Sequence, residues 1–416
     1  MKERKVNILL ITEKFPYSST EQFLETEINY YKYCDLTILP QFMAKQCRGL
    51  ESHIKVDNFL IDFPNMNTKY KIYYVFKSLF SKYFIEEYRR NNIYSIGKLK
   101  IFLASTIKYY YYYDCFNNYF ANKDNLDKTI VYTYWNTEVT YALQSLKIKY
   151  KYKLISRIHG YDIYKNRRKY NYMPLKKQFT KNIDKIFTIT ESANSYLYKT
   201  YNFDYSILEL SRLGVEDYSI VTKANEESVF HIVSCSYLVE IKQVNKIIKA
   251  LASIAHSKPD ISYKWTHIGN GPLLNELVLL SNHLLKKFTN LQYTFLGHLD
   301  NTDVYDFYRN NYIDVFINVS LSEGVPVSIM EAMSCHIPII APDIGGISDM
   351  IASNKSGILL SSQPSIKEIS EALQKNHFFK NNKIRNHSYN IFLDKYNAKN
   401  NYTVFTKKIT NLIKRS

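Results

Sequence analysis

Glu323 and Glu331 stand eight residues apart in the segment Ser320-Leu-Ser-Glu-Gly-Val-Pro-Val-Ser-Ile-Met-Glu-Ala-Met333. A carboxylate accepts two hydrogen bonds from a vicinal diol, so two carboxylates could hold two pairs of sugar hydroxyls. A helix bearing two solvated glutamates has the same spacing, and the residues alone leave both readings open. Arg157-Ile-His-Gly-Tyr-Asp162 closes an apolar run with a histidine. His159 there could hydrogen-bond a hydroxyl or transition-state oxygens, or be a structural strand-end residue. Asp162 could meet a ligand or cap nearby backbone amides. Gly269-Asn270-Gly271-Pro272 follows another apolar run. Glycine there permits close backbone approach, and an ordinary turn would use it equally well.

These residues need strand ends to carry them. Val315–Val319 reads as a strand leading into Glu323, with Pro326 in the first turn of a helix over 326–335. A group at the C-terminal end of such a strand overhangs the crevice where parallel α/β proteins bind ligands. Further strands are expected at Phe230–Cys235, Tyr263–Ile268, Leu291–Leu296, Ile337–Ala341 and Gly357–Leu360. Helices are expected near 242–257, 272–287, 301–310, 346–352 and 364–377. The N-terminal half has the same rhythm, more loosely, at Val6–Thr12, Leu36–Leu39, Thr129–Thr133, Leu154–Ile158 and Lys185–Thr190. The expected organisation is an α/β chain of two Rossmann-like domains facing a cleft, over 1–205 and 230–384. A polar linker joins them over 206–229, and helices over 385–416 pack back toward the first domain.

The chain has 416 residues, 46% hydrophobic and 15% aromatic, which excludes a mainly disordered protein and suits two domains. Its net charge of +17 is uneven: residues 1–200 carry 33 basic against 18 acidic side chains, and 201–416 carry 22 against 20. Over 69–120 the basic residues interleave with Tyr and Phe, including five consecutive tyrosines at 109–113. That mixture suits an anionic membrane surface and, less well, single-stranded nucleic acid; it is also compatible with ordinary solvated faces. No apolar stretch is long enough to span a bilayer, and no secretory leader is evident. Five scattered cysteines point to reduced thiols in the cytoplasm. No His-Glu-x-x-His, Cys-x-x-Cys or Asp-x-Asp sequence supports a metal. Phosphate-loop and first-strand dinucleotide fingerprints are missing too, which disfavours an NTPase or a nicotinamide dehydrogenase.

Glu323 and Glu331, with Ser-x-Ser-Glu-Gly before and Glu-Ala-Met after, match the Glu-x7-Glu signature of a known family. The chain resembles retaining nucleotide-sugar glycosyltransferases of the GT-B fold, family 4-like, of the type that builds bacterial polysaccharide and lipopolysaccharide. Pro338-Ile-Ile-Ala-Pro-Asp-Ile-Gly-Gly346 fits as well, with Asp349 where a glutamate is commoner. The likeness is strong over 230–360 and looser in the N-terminal half.

The resemblance implies roles residue by residue. Glu331 would hold the donor ribose, and Glu323 the transferred sugar together with Gly324, Val325 and Pro326. Lys242 falls on the donor-phosphate segment Val233–Lys242. Tyr237 stands there in place of the family's arginine, and Arg212 is a candidate to supply the missing charge. Gly269, Asn270 and Gly271 would approach the nucleotide, with His298 near the base. His159 would sit beside the donor sugar. Glu21, Thr20 and Asp162 would face the acceptor, in a first loop that lacks the usual glycines.

The expected activity is metal-independent, retaining transfer of a hexose from a nucleotide-diphosphate donor, a UDP-sugar first. The acceptor would be a saccharide or lipid-linked saccharide, with no cofactor and no nucleic-acid partner. The expected place is the cytoplasm, on the inner face of the membrane. The alternative is a catalytically weak GT-B protein that binds glycan or partners a membrane-associated transferase, motivated by Tyr237 and the altered first loop. An epimerase or phosphorylase of similar fold is a third reading.

Overall fold

The computed structural model describes residues 5–17, 21–44, 47–60, 68–91, 93, 95–224 and 229–414. It divides into two compact units: residues 1–212 with 402–416, and residues 213–401.

The first unit is built on a parallel sheet. Its strands are β1 (Val6–Thr12), β2 (Cys34–Pro40), β3 (Lys55–Val56), β4 (Thr129–Thr133), β5 (Lys153–Ile158), β6 (Lys185–Thr188) and β7 (Leu208–Leu210), in the order β3-β2-β1-β4-β5-β6-β7. Successive side chains of a strand point to opposite faces, and β1 is apolar on both. Ile8 and Leu10 join one core cluster with Ile130 and Tyr132, while Leu9 and Ile11 join the other with Val131. A continuous apolar run is therefore what a strand covered on both sides requires. Phe405 and Ile409, from the helix Ala398–Lys414, complete the first of these clusters. The region 385–416 thus divides, its last residues belonging to the first unit.

Within 69–120 the structure separates two kinds of aromatic residue. The helix Ile96–Ala121 buries Phe102, Tyr109, Tyr111, Tyr112, Phe116 and Phe120. Tyr109 shares a hydrogen bond with Ser145 at 2.9 Å, and Ser105 donates to Glu138 at 2.7 Å, both on the helix Glu138–Tyr150. Most of the tyrosine run is core. The helices Thr68–Leu79 and Lys82–Asn91 instead leave most of their apolar side chains exposed.

The second unit has six parallel strands: β8 (Val229–Cys235), β9 (Ser262–Ile268), β10 (Leu291–Phe295), β11 (Val315–Ile317), β12 (Ile339–Pro342) and β13 (Gly357–Leu360). Their order is β10-β9-β8-β11-β12-β13. Trp265 is fully buried at its centre and donates to Ser234 Oγ at 3.0 Å, so its single polar atom is satisfied. Of the stretch expected as a linker, Leu208–Leu210 is β7. Ser211 and Arg212 still belong to the first unit, and from Leu213 the described residues belong to the second, where Ile220 is buried and Thr222 N–H donates to Cys335 O at 3.1 Å.

Two expected helices differ. Pro326 does not enter its helix, which runs Val327–Ser334; at ψ 121° it caps the first turn, its carbonyl accepting from Ile329 N–H. The region 346–352 holds only a short turn over Ile347–Asp349. Gly345 at φ +57° bends the chain there, and Gly346 N–H is committed to Gly324 O at 2.7 Å.

Candidate active site

In each sheet the strand order reverses beside the first strand, between β1 and β4 and between β8 and β11. The loops leaving those four strands are where a doubly wound sheet presents a ligand crevice.

In the second unit three loops interlock. After β8, Ser236 N–H donates to Ile268 O at 3.0 Å and Leu238 N–H to Asn270 O at 2.9 Å. Gly269 has φ +136°, and a Cβ on it would lie 2.0 Å from Ser236 O; one on Gly271 would lie 2.5 Å from Leu238 O. These glycines let two loops dock on each other. Lys242, at the far end of the same loop, donates from Nζ to Glu323 Oε1 at 2.6 Å. Asn318 Nδ2 reaches the same oxygen at 3.2 Å. Leu321 N–H donates to Ile241 O at 2.8 Å, tying the loop after β11 to the loop after β8. Gly345 packs on the Glu323 carbonyl, where a Cβ would sit 2.1 Å away. Glu323 is thus buried, with its carboxylate fixed from two strands. Two further polar atoms there, Gln243 Oε1 and Ser320 Oγ, are buried without a hydrogen-bond partner.

Glu331 lies inside the helix Val327–Ser334 and is buried. Asn301, first residue of the helix Asn301–Asn310, donates from Nδ2 to its Oε1. Burial pushes the Glu331 carboxyl up to about 7, against the pull of that hydrogen bond toward the ionised form. Val325 is buried while Gly324 has open space around it. Tyr237 is exposed, and so is His298, 3.6 Å from Asp300. Arg212 closes the first unit, where it pairs with Glu191 at 3.2 Å.

The first unit gathers a different set. His159, just past β5, is buried under Phe23, Tyr134 and Trp135, with ring centroids 5.6, 4.9 and 4.4 Å away. Burial, then the charge of Arg157, holds its pKa well below the usual imidazole value, so the ring is neutral. Both ring nitrogens are buried without a hydrogen-bond partner. Asp162 accepts the N–H of His159 at 2.6 Å and of Asn136 at 2.7 Å, which makes it a cap on the loops after β4 and β5. Lys176 is fully buried and donates to Asn136 O and Oδ1 at 2.9 and 2.7 Å. Burial pushes the Asp162 carboxyl up and the Lys176 ammonium down, and each charge resists the other's shift. Arg157 is also buried, paired with Glu27 at 3.4 Å.

Glu21 is not open to solvent. At φ +61° it turns its carboxylate back to accept the N–H groups of Glu13, Lys14 and Phe15 at 3.1, 2.9 and 2.8 Å, and Trp135 Nε1 at 2.6 Å. Thr20 lies outside the described residues.

Lys242 and Glu323, 81 positions apart, are brought together; Glu21, Trp135 and His159 form a second group. Asn301, Asn318, Trp135, Asn136 and Lys176 were not read from the sequence. Trp135 and Asn136 follow the expected strand Thr129–Thr133 within three residues, and the strand-end rule that selects His159 would have selected them; Asn318 lay inside the expected strand Val315–Val319, which ends instead at Ile317. Lys176 stands in the basic pair Lys176-Lys177, which by itself is compatible with a solvated face, whereas the structure buries it completely. Among the described residues no three His, Cys, Asp or Glu side chains converge as metal ligands would.

Residues 219–390 match the family of glycosyl transferases group 1. The chain is 32% identical over 105 residues to the O-antigen biosynthesis glycosyltransferase WbnH of Escherichia coli, covering 25% of this chain and 27% of that one. To the sulfoquinovosyl transferase SQD2 of Arabidopsis thaliana it is 31% identical over 114 residues, 27% of this chain and 20% of that one. It spans less than a third of the length of the first curated relatives it matches, from 20% to 28%. In structure it is similar to the lipopolysaccharide outer core galactosyltransferase WaaB, with a TM-score of 0.66 at 15% identity over 96% of this chain and 99% of that one. The Anabaena protein HepE, solved with UDP and glucose, gives a TM-score of 0.62 at 13% identity over 98% and 100%. Two Rossmann-like units with these neighbours define a GT-B fold, and within it residues 219–390 form a glycosyl transferases group 1 domain.

Proposed function

We propose that the chain transfers a sugar from a nucleotide-diphosphate donor to a saccharide or lipid-linked saccharide in the synthesis of cell-surface glycan, with retention at the anomeric carbon and without a metal. The observation that carries this reading is the Lys242–Glu323 contact at the β8/β11 reversal, inside the matched domain. A donor diphosphate would recruit the Lys242 ammonium away from the carboxylate. Glu323 would then be free to accept from hydroxyls of the transferred sugar.

Glu331, held by Asn301, offers two acceptor oxygens to the ribose diol. His159, neutral and with unpartnered ring nitrogens, is assigned to a sugar hydroxyl. No carboxylate described above is left over as a nucleophile in this reading: Glu21 is saturated, Asp162 caps two loops, Glu331 is buried and assigned to the ribose, and Glu323, once released by Lys242, is assigned to the sugar hydroxyls. We therefore favour front-face substitution. The bond from C1 to the leaving phosphate oxygen breaks as the bond to the acceptor oxygen forms, and the acceptor's proton passes to the departing phosphate. Lys242 stabilises the charge that develops there. Support for a UDP-sugar is the solved HepE complex, whose ligands are UDP and glucose.

The test is thermal stabilisation by UDP-, GDP-, ADP- and CMP-sugars, with EDTA present. A true donor at a hundredfold excess over its Kd stabilises by about 2.7 kcal/mol. One nucleotide sugar should raise Tm and slowly release nucleotide. No response to any of the four from folded protein would overturn the donor site.

A further inference from the structure

The helix Thr68–Leu79 is held to the first unit along one edge, through buried Tyr74 and Ser78, with Tyr74 OH donating to Asp114 at 3.1 Å. Its other side carries Ile72, Tyr73, Phe76, Leu79 and, just beyond the last turn, Phe80. At positions i, i+1, i+4, i+7 and i+8 these form one stripe. They are not core residues: Ile72 and Tyr73 are 53% exposed, Phe76 58% and Phe80 84%. The following helix, Lys82–Asn91, adds exposed Ile85 and Tyr88. An apolar stripe of this length left in water marks an interaction surface.

The charge around it selects the partner. Residues 68–90 contain Lys69, Lys71, Lys77, Lys82, Arg89 and Arg90 against Glu86 and Glu87; Lys77 is paired with Asp114 at 3.2 Å and Arg90 with Glu86 at 3.8 Å, which leaves the positive excess to Lys69, Lys71, Lys82 and Arg89. Glu87 is buried, accepting from Tyr172, Gln178 and Leu175 N–H, so it faces inward. Among the described residues no helix is long and apolar enough to cross a membrane. Aromatic and aliphatic side chains flanked by cations, on a helix too polar to insert, are the arrangement that lies in a lipid–water interface.

We infer that the face formed by 68–90 docks on a bilayer surface rich in anionic phospholipid, with Phe76 and Phe80 as the deepest anchors. This narrows the membrane-facing segment from 69–120 to its first two helices. The inference does not depend on the sugar-transfer reading.

The experiment is flotation of the full chain with vesicles of phosphatidylcholine containing about 30% phosphatidylglycerol, and with phosphatidylcholine alone. Wild type should float with the anionic vesicles and largely fail to float with the neutral ones. F76S/F80S should bind the anionic vesicles about tenfold more weakly, and K69Q/K71Q should lose about fivefold for each cation removed. Both pairs are solvent-facing, and an unchanged Tm shows that each variant is folded. Equal flotation of wild type and F76S/F80S would overturn the inference. So would wild type failing to float while F76S/F80S converts a dimer into a monomer in light scattering, which would make the face a contact between copies. Binding lost to single-stranded RNA competitor but insensitive to the phenylalanines would also overturn it.

Discussion

The two strand-order reversals in this chain occupy the same topological position and reach opposite electrostatic solutions. At β1/β4 a carboxylate of the protein fills the crevice loop: Glu21 takes three backbone amides and an indole N–H. At β8/β11 the loop amides of Ser236, Leu238 and Leu321 go to neighbouring carbonyls, and the loop instead presents a lysine. Lys242 holds Glu323 at 2.6 Å from a partly exposed, four-carbon stem. A side chain held by a single carboxylate can change partners, whereas a carboxylate held by four donors cannot without unmaking its loop. The parallel sheet therefore supplies two crevices, and side chains decide what each can accept. The second suits a phosphate that brings its own negative charge. In the first, Phe23 and Trp135 cover a buried, neutral His159 that packs on fully buried Tyr134.

Removing the Lys242 cation should have the largest effect. Lys242→Ala is expected to lower kcat/KM by roughly 10²–10³, the range for loss of one group that stabilises developing charge. Lys242→Arg should recover part of it, because the charge remains while the reach differs. Steady-state kinetics with the responsive donor would check this, and wild-type kcat/KM in the alanine variant would remove Lys242 from the site.

Glu21→Ala attacks the fixed arrangement. It strands buried amides and should cost about 3 kcal/mol of the first unit's stability, read by urea unfolding. Donor affinity of the second unit should be unchanged. A variant as stable as wild type would show that the Glu21 hydrogen bonds do not hold the loop after β1.

The sheet positions were legible because β1 is apolar on both faces and β8 largely so, its buried His231 and Ser234 being satisfied by hydrogen bonds, and a doubly covered strand needs no partner information to be recognised. Most helices of the second half followed from the same periodicity, although 346–352 holds only a short turn; the glutamate pair was singled out by its resemblance to the Glu-x7-Glu signature, its spacing alone being equally that of a solvated helix. β3 and β7, two and three residues long, leave no periodic trace. The partners of the glutamates were hidden for another reason. Asn301 and Lys242 reach Glu331 and Glu323 across 30 and 81 residues, and Trp135 reaches Glu21 across 114. Such pairs are products of strand order, which local spacing does not encode. The roles expected of Gly269 and Gly271 were visible as backbone closeness, but the structure shows loop meeting loop. The five tyrosines were misleading in composition. Three of them are packed inward by a helix whose neighbour supplies Ser145 and Glu138.

The smallest expected effect tests how Glu331 is tuned. Its folded pKa, about 7, is above the value of an unfolded glutamate, so burial disfavours its charge. Its ionisation therefore costs stability as pH rises from the unfolded pKa through about 7, and the stability of Glu331→Gln relative to wild type should be greater at about pH 8 than at about pH 4. Donor binding runs the other way, since the ionised carboxylate accepts both ribose hydroxyls; wild-type affinity should fall as pH drops through about 7. Asn301 donates to the ionised form, so Asn301→Ala should move that fall upward by about one pH unit and weaken donor binding about fivefold near pH 7.5. Asn301→Ser, which keeps a donor, should restore part of the profile. Calorimetric donor titrations from about pH 6 to about pH 9 would resolve the shift. An identical midpoint in Asn301→Ala and wild type would leave Glu331 tuned by burial alone, and the contrast between the crevices would then rest on Lys242.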